Sequence, residues 1–508
     1  MGMSSEKNLW SAGVLVLIGL LFLWLRWEGL VDHCLWFDEI YSAHAASMPL
    51  REMMPFIARD LVHPPFFYVL LGGWVSVFGD SQLALRYFPF VVSLLSLAAA
   101  FLLMRQLRIG STGMVAGILF IAVNGLLIKY SQEVRMYSLV VTLSLFSAFL
   151  FERFFRMGKG IVALTVINGL LVATHYFGFI LIVSQIAVVL VWQRIKIRPI
   201  VLAGGISMMP VAVWIGYVLS FSRESEALGQ NIGWIPAPGL FTVLNSIFDF
   251  TEPVYFDAGT SDLPTNPIFS IPMLLLLIVA VAFAVREGGV KAIRSGEGLF
   301  PHFAVATFGF LIVLVLSLIL PYSIWGSRHL LVLFGPFLAV IAIALSSSTW
   351  NHLKAIPLAS ISSIALMAVV FGVLQPRETR HIWCAWEKFA VFLKERPNLN
   401  EPIYFVDDLA AYHFWYFSRR SQEERPILLL RNGKIRPADD DYFLPRGFQG
   451  VTRTDRIDAS RPFLIGFVAE KWDEDQYPLK ELRSSACNPE TIEIFEANQT
   501  KAFLVRCG

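Results

Sequence analysis

Hydrophobic positions in this 508-residue chain do not follow the spacing of a water-soluble core; as far as Gln375 they come as continuous runs. A helix needs about 20 apolar residues to cross roughly 30 Å of hydrocarbon. Runs at 9–27, 83–104, 112–129, 136–152, 161–174, 177–192, 200–220, 268–285, 303–320, 329–345 and 355–375 predict about 11 transmembrane helices. The first is too long and too aromatic for a cleaved leader and has no small-residue cleavage site behind it, so it reads as a retained anchor. Pro65–Asp80 (PFFYVLLGGWVSVFGD) is apolar too, but counting it as a crossing would invert every later loop. It reads instead as a short helix lying at the outer surface or dipping into the membrane. After Gln375 the pattern breaks into short apolar stretches among charges and Pro/Gly/Asp turns. PIYFVDD predicts a strand feeding the helix LAAYHFWYFSRR, PILLL and PFLIGFV predict buried strands, and TIEIFEANQTKAFLVRC predicts a hairpin turning at Ala497–Asn498. The expected organisation is a membrane domain over 1–375 and a small C-terminal α/β domain over 376–508.

Composition excludes a soluble protein: 56% of residues are AVILMFWYC and 16% are charged, where soluble chains carry about 25% charge. The 41 Lys and Arg against 39 Asp and Glu leave a net charge of +2, which gives nucleic acid no electrostatic footing. The placement of charge is more informative. Basic connectors at Arg105/Arg108, Arg153/Arg156/Lys159, Arg194/Lys196/Arg198 and Arg286/Lys291/Arg294 alternate with acidic ones at 28–62 and 221–267. Short basic loops stay on the cytoplasmic side, so the acidic loops and the C-terminal domain are expected on the outer, extracytoplasmic side of the membrane, with the N-terminus cytoplasmic. The cysteines Cys34, Cys384, Cys487 and Cys507 lack CxxC spacing, and at most one disulfide is expected. The predicted hairpin brings Cys487 and Cys507 near each other, as a bridge or as two buried thiols.

Polar residues gather where the runs end on the outer side. LWFDEIYSAH sets Asp38 and Glu39 side by side among aromatics, near Tyr41; RDLVHPP delivers His63 into an apolar segment behind two prolines. YSQEVRMY carries Glu133 and Arg135, THYFG carries His175 and Tyr176, and SRH opens the tenth run with Arg328 and His329. Each has a structural alternative: a helix cap for the acid pair, a turn histidine for His175, an ion pair within the turn for Glu133 and Arg135, and an interface anchor for Arg328. Carboxylates, histidines and arginines gathered at one depth of a bundle point jointly to a site for an anionic, lipid-borne substrate.

The ordered motifs FDEIYSAH, VHPPFFYVLLGGW, FGDSQLALRYFP, YSQEVRMYSL, THYFG and SRHLLVLFGPF resemble the bacterial members of glycosyltransferase family 39. These are integral-membrane GT-C enzymes related to protein O-mannosyltransferases and to the aminoarabinose transferase of lipid A. The resemblance covers Leu9 to Gln375. It implies a sugar donor on a polyprenyl phosphate and an inverting single displacement by a hydroxyl acceptor of a cell-envelope glycan, lipid or protein. On that basis Asp38 is the expected base with Glu39 assisting, and Arg328, His329, His63 and Arg135 are the expected donor-phosphate ligands. Glu133, His175, Tyr176 and Tyr41 are expected to line the substrate site. No cofactor is fixed by the sequence; a divalent metal at Asp38, Glu39, His63 and His175 has no fixed ligand spacing and stays open. The 47-residue loop 221–267 stands where eukaryotic members insert a large luminal domain, which turns the expectation away from a protein acceptor. A transporter or flippase of lipid-linked sugars is the alternative from another class; it would place its polar residues near the midplane and show internal repeats.

Overall fold

The computed structural model describes residues 2–220, 235–255, 266–347, 355–374, 381–420, 425–430 and 444–508, apart from 474, 476–477, 485–486, 488 and 498–499. The chain forms two compact units. The first comprises Met1–Leu30, Leu61–Asp257 and Ser261–Pro376; the second joins Val31–Asp60 to Arg377–Gly508. The segment Val31–Asp60 therefore folds with the C-terminal domain, which the division of the sequence at 375/376 does not foresee.

Helices in chain order are α1 (Gly2–Trp27), α2 (Phe37–Ala46), α3 (Leu50–Asp60), α4 (Phe66–Phe78), α5 (Gln82–Gln106), α6 (Ser111–Val123), α7 (Gly125–Gln132), α8 (Tyr137–Met157), α9 (Ile161–Thr174), α10 (Gly178–Trp192) and α11 (Ile197–Leu219). They continue as α12 (Leu240–Thr251), α13 (Pro267–Ser295), α14 (Phe300–Ile319), α15 (Ser327–Leu330), α16 (Phe334–Leu345), α17 (Ala355–Leu374), α18 (Cys384–Lys394), α19 (Asp408–Arg420) and α20 (Leu479–Ser484). Among the described residues seven helices are long and apolar enough to cross a membrane, and the four other predicted crossings are shorter apolar helices. The protein is a polytopic α-helical membrane protein with a small α/β domain.

The run at 112–129 is not one helix. It breaks at Asn124, whose backbone turns extended (ψ 117°) and whose side chain caps α7 by accepting from Leu127 N at 3.1 Å. Asn124 Nδ2 also donates to the Phe250 carbonyl, 2.9 Å, and Asn124 bridges Pro253, so α12 and the residues after it dock on the break. A break orphans the last carbonyls of the helix before it. Arg26, buried in α1, supplies the partners: its guanidinium donates to the carbonyls of Ile121 (3.1 Å) and Ala122 (2.9 Å). α8 is the most enclosed of the long apolar helices, packed on α5, α9 and α16. Its Ser144 Oγ accepts from Gly335 N and donates to the Val332 carbonyl, which draws α8 and α16 close enough that a Cβ on Gly335 would lie 2.2 Å from the Ser144 carbonyl oxygen. Leu240–Thr251 lies in a loop for which the sequence reading gave no helix.

In the second unit six strands form one sheet, β1 (Ile403–Phe405), β2 (Ile427–Leu430), β3 (Thr452–Thr454), β4 (Phe463–Ala469), β5 (Pro489–Ala497) and β6 (Thr500–Cys507), in the order β3-β2-β1-β4-β6-β5. The first four are parallel, with Ile403 opposite both Ile427 and Leu464; β6 runs antiparallel to β4 and β5. Buried IYF and FLIGF have the unbroken apolar character of central strands, whereas edge strand β5 carries Glu490, Glu493 and Glu496. The predicted hairpin pairs Ala497 with Thr500, its turn lying outside the described residues. Two disulfides form where at most one was expected: Cys487–Cys507 across the sheet edge, and Cys34–Cys384, each with Cα atoms 5.5 Å apart. Cys34 and Cys384 are 350 residues apart, and no local pattern links them.

Candidate active site

The site in the first unit is built at helix ends. His63 precedes Pro64 and Pro65, which start α4. Arg135 sits in the short turn between α7 and α8, where its N–H bonds to the Glu133 carbonyl at 2.7 Å. His175 ends α9 in an extended conformation, and His329 lies in the one-turn helix α15. These four converge: Arg135 Nη2 lies 3.2 Å from His63 Nε2, the rings of His63 and His175 are 6.1 Å apart, and those of His175 and His329 are 5.8 Å apart.

Bonding decides which ring nitrogens carry protons. A guanidinium only donates, so His63 Nε2 accepts from Arg135 and the His63 ring is neutral in this contact. Phe177 N donates to His175 Nδ1 at 3.2 Å, leaving the proton of a neutral His175 on Nε2. His329 Nδ1 donates to the Ile324 carbonyl at 2.9 Å. Burial holds His175 well below the usual histidine range, and the positive charges of Arg135 and Arg328 add to the effect. Three of the four predicted histidine and arginine positions in this cluster are therefore rings that orient or accept, while the permanent charges are Arg135, 4% exposed, and the half-buried Arg328.

Around them, Tyr137 faces His175 (6.3 Å) and Tyr130 (4.6 Å), and Phe177 lies edge-on to His329 (4.9 Å). Glu133 pairs with buried Lys129 at 3.9 Å. Ser327, next to Arg328, donates to Asp249 of α12, and Trp325 Nε1 donates to Ser246 Oγ at 3.0 Å. Sequence reasoning missed Lys129 and Asp249; a single charge inside LLIKYSQ or NSIFDFT was the available signal. Tyr176 turns to α11, where its hydroxyl accepts from Trp214 Nε1 at 3.0 Å and its ring packs on Val172, Ile182 and Val211. Next to Ser246 and Leu330 begins an apolar cavity of about 570 Å³, walled by α12, α13, α14 and α16 through residues such as Phe250, Leu277, Val281, Phe310 and Phe337.

Asp38, Glu39 and Tyr41 belong to the second unit, on α2. Glu39 is fully buried, and its Oε2 accepts from Trp36 N at 3.2 Å, as an acid at the third helical position does when it caps a helix start. Asp38 beside it is half-buried. Tyr41 stacks on Phe56 at 5.0 Å. Among the described residues no group of three or more His, Cys, Asp and Glu side chains is arranged to hold a metal ion, and His63 Nε2 and His175 Nδ1 already accept hydrogen bonds.

No family model and no curated protein matches the sequence. Among solved structures the chain is similar to ArnT from Cupriavidus metallidurans bound to undecaprenyl phosphate, with a TM-score of 0.61 at 12% identity over 97% of this chain and 98% of that one. The same protein in the apo state gives 0.59 at 12% identity with the same coverage. At this identity the likeness is one of fold: the chain has the GT-C fold of that protein.

Proposed function

We propose that the protein is an inverting membrane glycosyltransferase that moves a sugar from a polyprenyl-phosphate donor to a hydroxyl of a cell-envelope glycan or lipid on the outer face of the bacterial inner membrane. The observation that carries this reading is the pairing, within the first unit, of a buried arginine and histidine cluster with an apolar cavity that starts at Leu330, two residues from Arg328. A charged head on an isoprenoid tail needs both. A solved protein of the same fold is described as bound to undecaprenyl phosphate, which supports the donor class.

In the proposed reaction the acceptor oxygen attacks C1 of the sugar as the bond from C1 to the phosphate oxygen breaks; the acceptor proton passes to the Asp38 carboxylate, and the polyprenyl phosphate leaves with the bonding electrons. Charge grows on the phosphate in the transition state, so fixed guanidinium groups there lower the barrier. Arg135 and Arg328 have this role, His63 holds the Arg135 fork, and His175 and His329 offer uncharged hydrogen-bonding edges. Glu39, committed to capping α2, orients its neighbour Asp38.

The test compares envelope glycans of a deletion strain and its parent by mass spectrometry, then assays purified protein in liposomes with undecaprenyl-phosphate sugars. A sugar missing from one glycan, and its transfer in vitro, is the expected result. Unchanged glycans together with transport of labelled lipid-linked sugar in the absence of any acceptor would replace this reading with a flippase.

A further inference from the structure

Helix α2 has only 10 residues, far too few to hold its shape alone in water. Eight of them are nevertheless buried, and the second unit supplies the following contacts. His44 Nδ1 lies 2.9 Å from the hydroxyl of Tyr412 on α19, and its ring touches Phe56 (4.9 Å), Trp415 (4.6 Å) and Phe448 (5.7 Å). Tyr412 is fully buried and stacks on Trp415 at 5.7 Å with the rings 6° from parallel. Before the helix, Cys34 is bonded to Cys384 at the start of α18, with His33 against His381 at 4.7 Å beside the bond. After it, Arg446 Nη1 donates to the Arg59 carbonyl at the end of α3, 2.9 Å. Asp38 thus lies between two anchors, a covalent one four residues earlier at Cys34 and a packed one six residues later at His44.

We propose that the C-terminal α/β domain is the holder of the catalytic loop: through Cys34–Cys384 and His44–Tyr412 it fixes the backbone that carries Asp38, making His44 and Tyr412 positioning residues for transfer. This rests on the reading of Asp38 as the base. A base must meet its proton within hydrogen-bond reach, and a displacement of about 1 Å at such a group costs about 100-fold in rate. Loosening the anchors should lower kcat without weakening the hold on the donor.

The experiment uses the full-length protein in liposomes. Two variants, Cys34→Ser with Cys384→Ser and, separately, Tyr412→Phe, are compared with Cys487→Ser with Cys507→Ser, which removes the other bridge of the same domain. The expected result is a fall in kcat of about tenfold or more in the first variant and a smaller one in Tyr412→Phe. Binding of undecaprenyl phosphate stays unchanged, hydrogen exchange at 39–46 is faster, and the comparison variant keeps its kcat. Unchanged kcat in both anchor variants, or an equal fall in the comparison variant, overturns the proposal. If Asp38→Asn keeps the wild-type rate while the anchor variants lose it, the base assignment fails and the holder stands. If wild-type protein transfers nothing, the exchange rates decide: no acceleration at 39–46 on loss of Cys34–Cys384 overturns the tether itself.

Discussion

At the scale of single residues, the site separates charge from orientation. Arg328 carries a permanent charge that reaches His175, so in the proposed reaction Arg328→Ala removes transition-state stabilisation and should lower kcat about 100-fold, while Arg328→Lys recovers part of it because a point charge lacks the bidentate fork. Steady-state assays with a polyprenyl-phosphate sugar check this; a kcat within a factor of two of wild type in the alanine variant would remove Arg328 from the chemistry. His175 is different. Its pKa is driven down by burial, so its ring stays neutral through the neutral range and gains no charge on mild acidification. The dependence of undecaprenyl phosphate binding on pH between 6 and 8 should therefore have the same shape in wild type and in His175→Gln, and a wild-type rise toward pH 6 that the variant lacks would show a titrating His175. Most of these side chains were legible as polar residues at the ends of apolar runs, because desolvated polar groups need a reason to be there. The division of labour was not, since it depends on which nitrogen meets which partner, as with Arg135 on His63 Nε2 and Phe177 N on His175 Nδ1.

At the scale of elements, close approach decides more than hydropathy. Gly335 lets α16 lie against α8, and an added Cβ there would meet backbone, the Ser144 carbonyl, rather than a side chain that can swing away. Gly335→Ala should accordingly lower the apparent melting temperature and the folded yield, by an overpacking penalty of about 1–3 kcal/mol or more. Gly216→Ala on α11, where a Cβ meets nothing within 4 Å, should be neutral or slightly stabilising. Thermal melts of the purified variants separate the two, and equal melts would mean that α8 and α16 can part at little cost. The same scale explains what the sequence hid. Hydropathy runs through Asn124 without a pause, yet the helix breaks there because Asn124 caps α7 and binds the Phe250 carbonyl, while Arg26 takes the carbonyls the break leaves open. The cap on Leu127 is local, but Phe250 and Arg26 are distant in sequence, and no window could register them. The strands of the α/β domain were legible for the opposite reason: runs such as FLIGF are buried on both faces, and local composition alone marks them.

At the scale of the whole molecule, the chain leaves its membrane unit at Leu30, folds 31–60 with the C-terminal domain, and returns at Leu61. Change of composition marks the boundary near Gln375, but nothing local marks a loop that belongs with residues 350 positions away, which is why Cys34–Cys384 went unforeseen. The second unit also carries a pH dependence of its own. Burial pushes His44 down to about 4, with the Arg419 charge adding to it, and pushes His413 down to about 4 against its bond to the Leu409 carbonyl. Unfolding returns both to the ordinary value near 6.5. Between pH 6.5 and 4 the unfolded state then binds more protons than the folded one, so stability falls as the solution is acidified through this window and is fully present above it. The fall from 6.5 to about 4 corresponds to about 3 kcal/mol for each ring at most. Asp407, whose carboxyl is pushed up by burial, works in the other direction: its contribution is lost as pH rises past the ordinary aspartate value, so acid restores it. Glu252 of the first unit, which burial pushes up to about 7, acts in the same sense as Asp407, so the histidine contribution shows as a difference between proteins. His44→Gln with His413→Gln, although less stable at pH 7, should lose less apparent melting temperature, or gain more, from pH 7 to pH 5 in detergent than the wild-type protein does. Parallel slopes for the two proteins would assign the acid sensitivity to other groups and would mean that neither ring is held neutral by the fold.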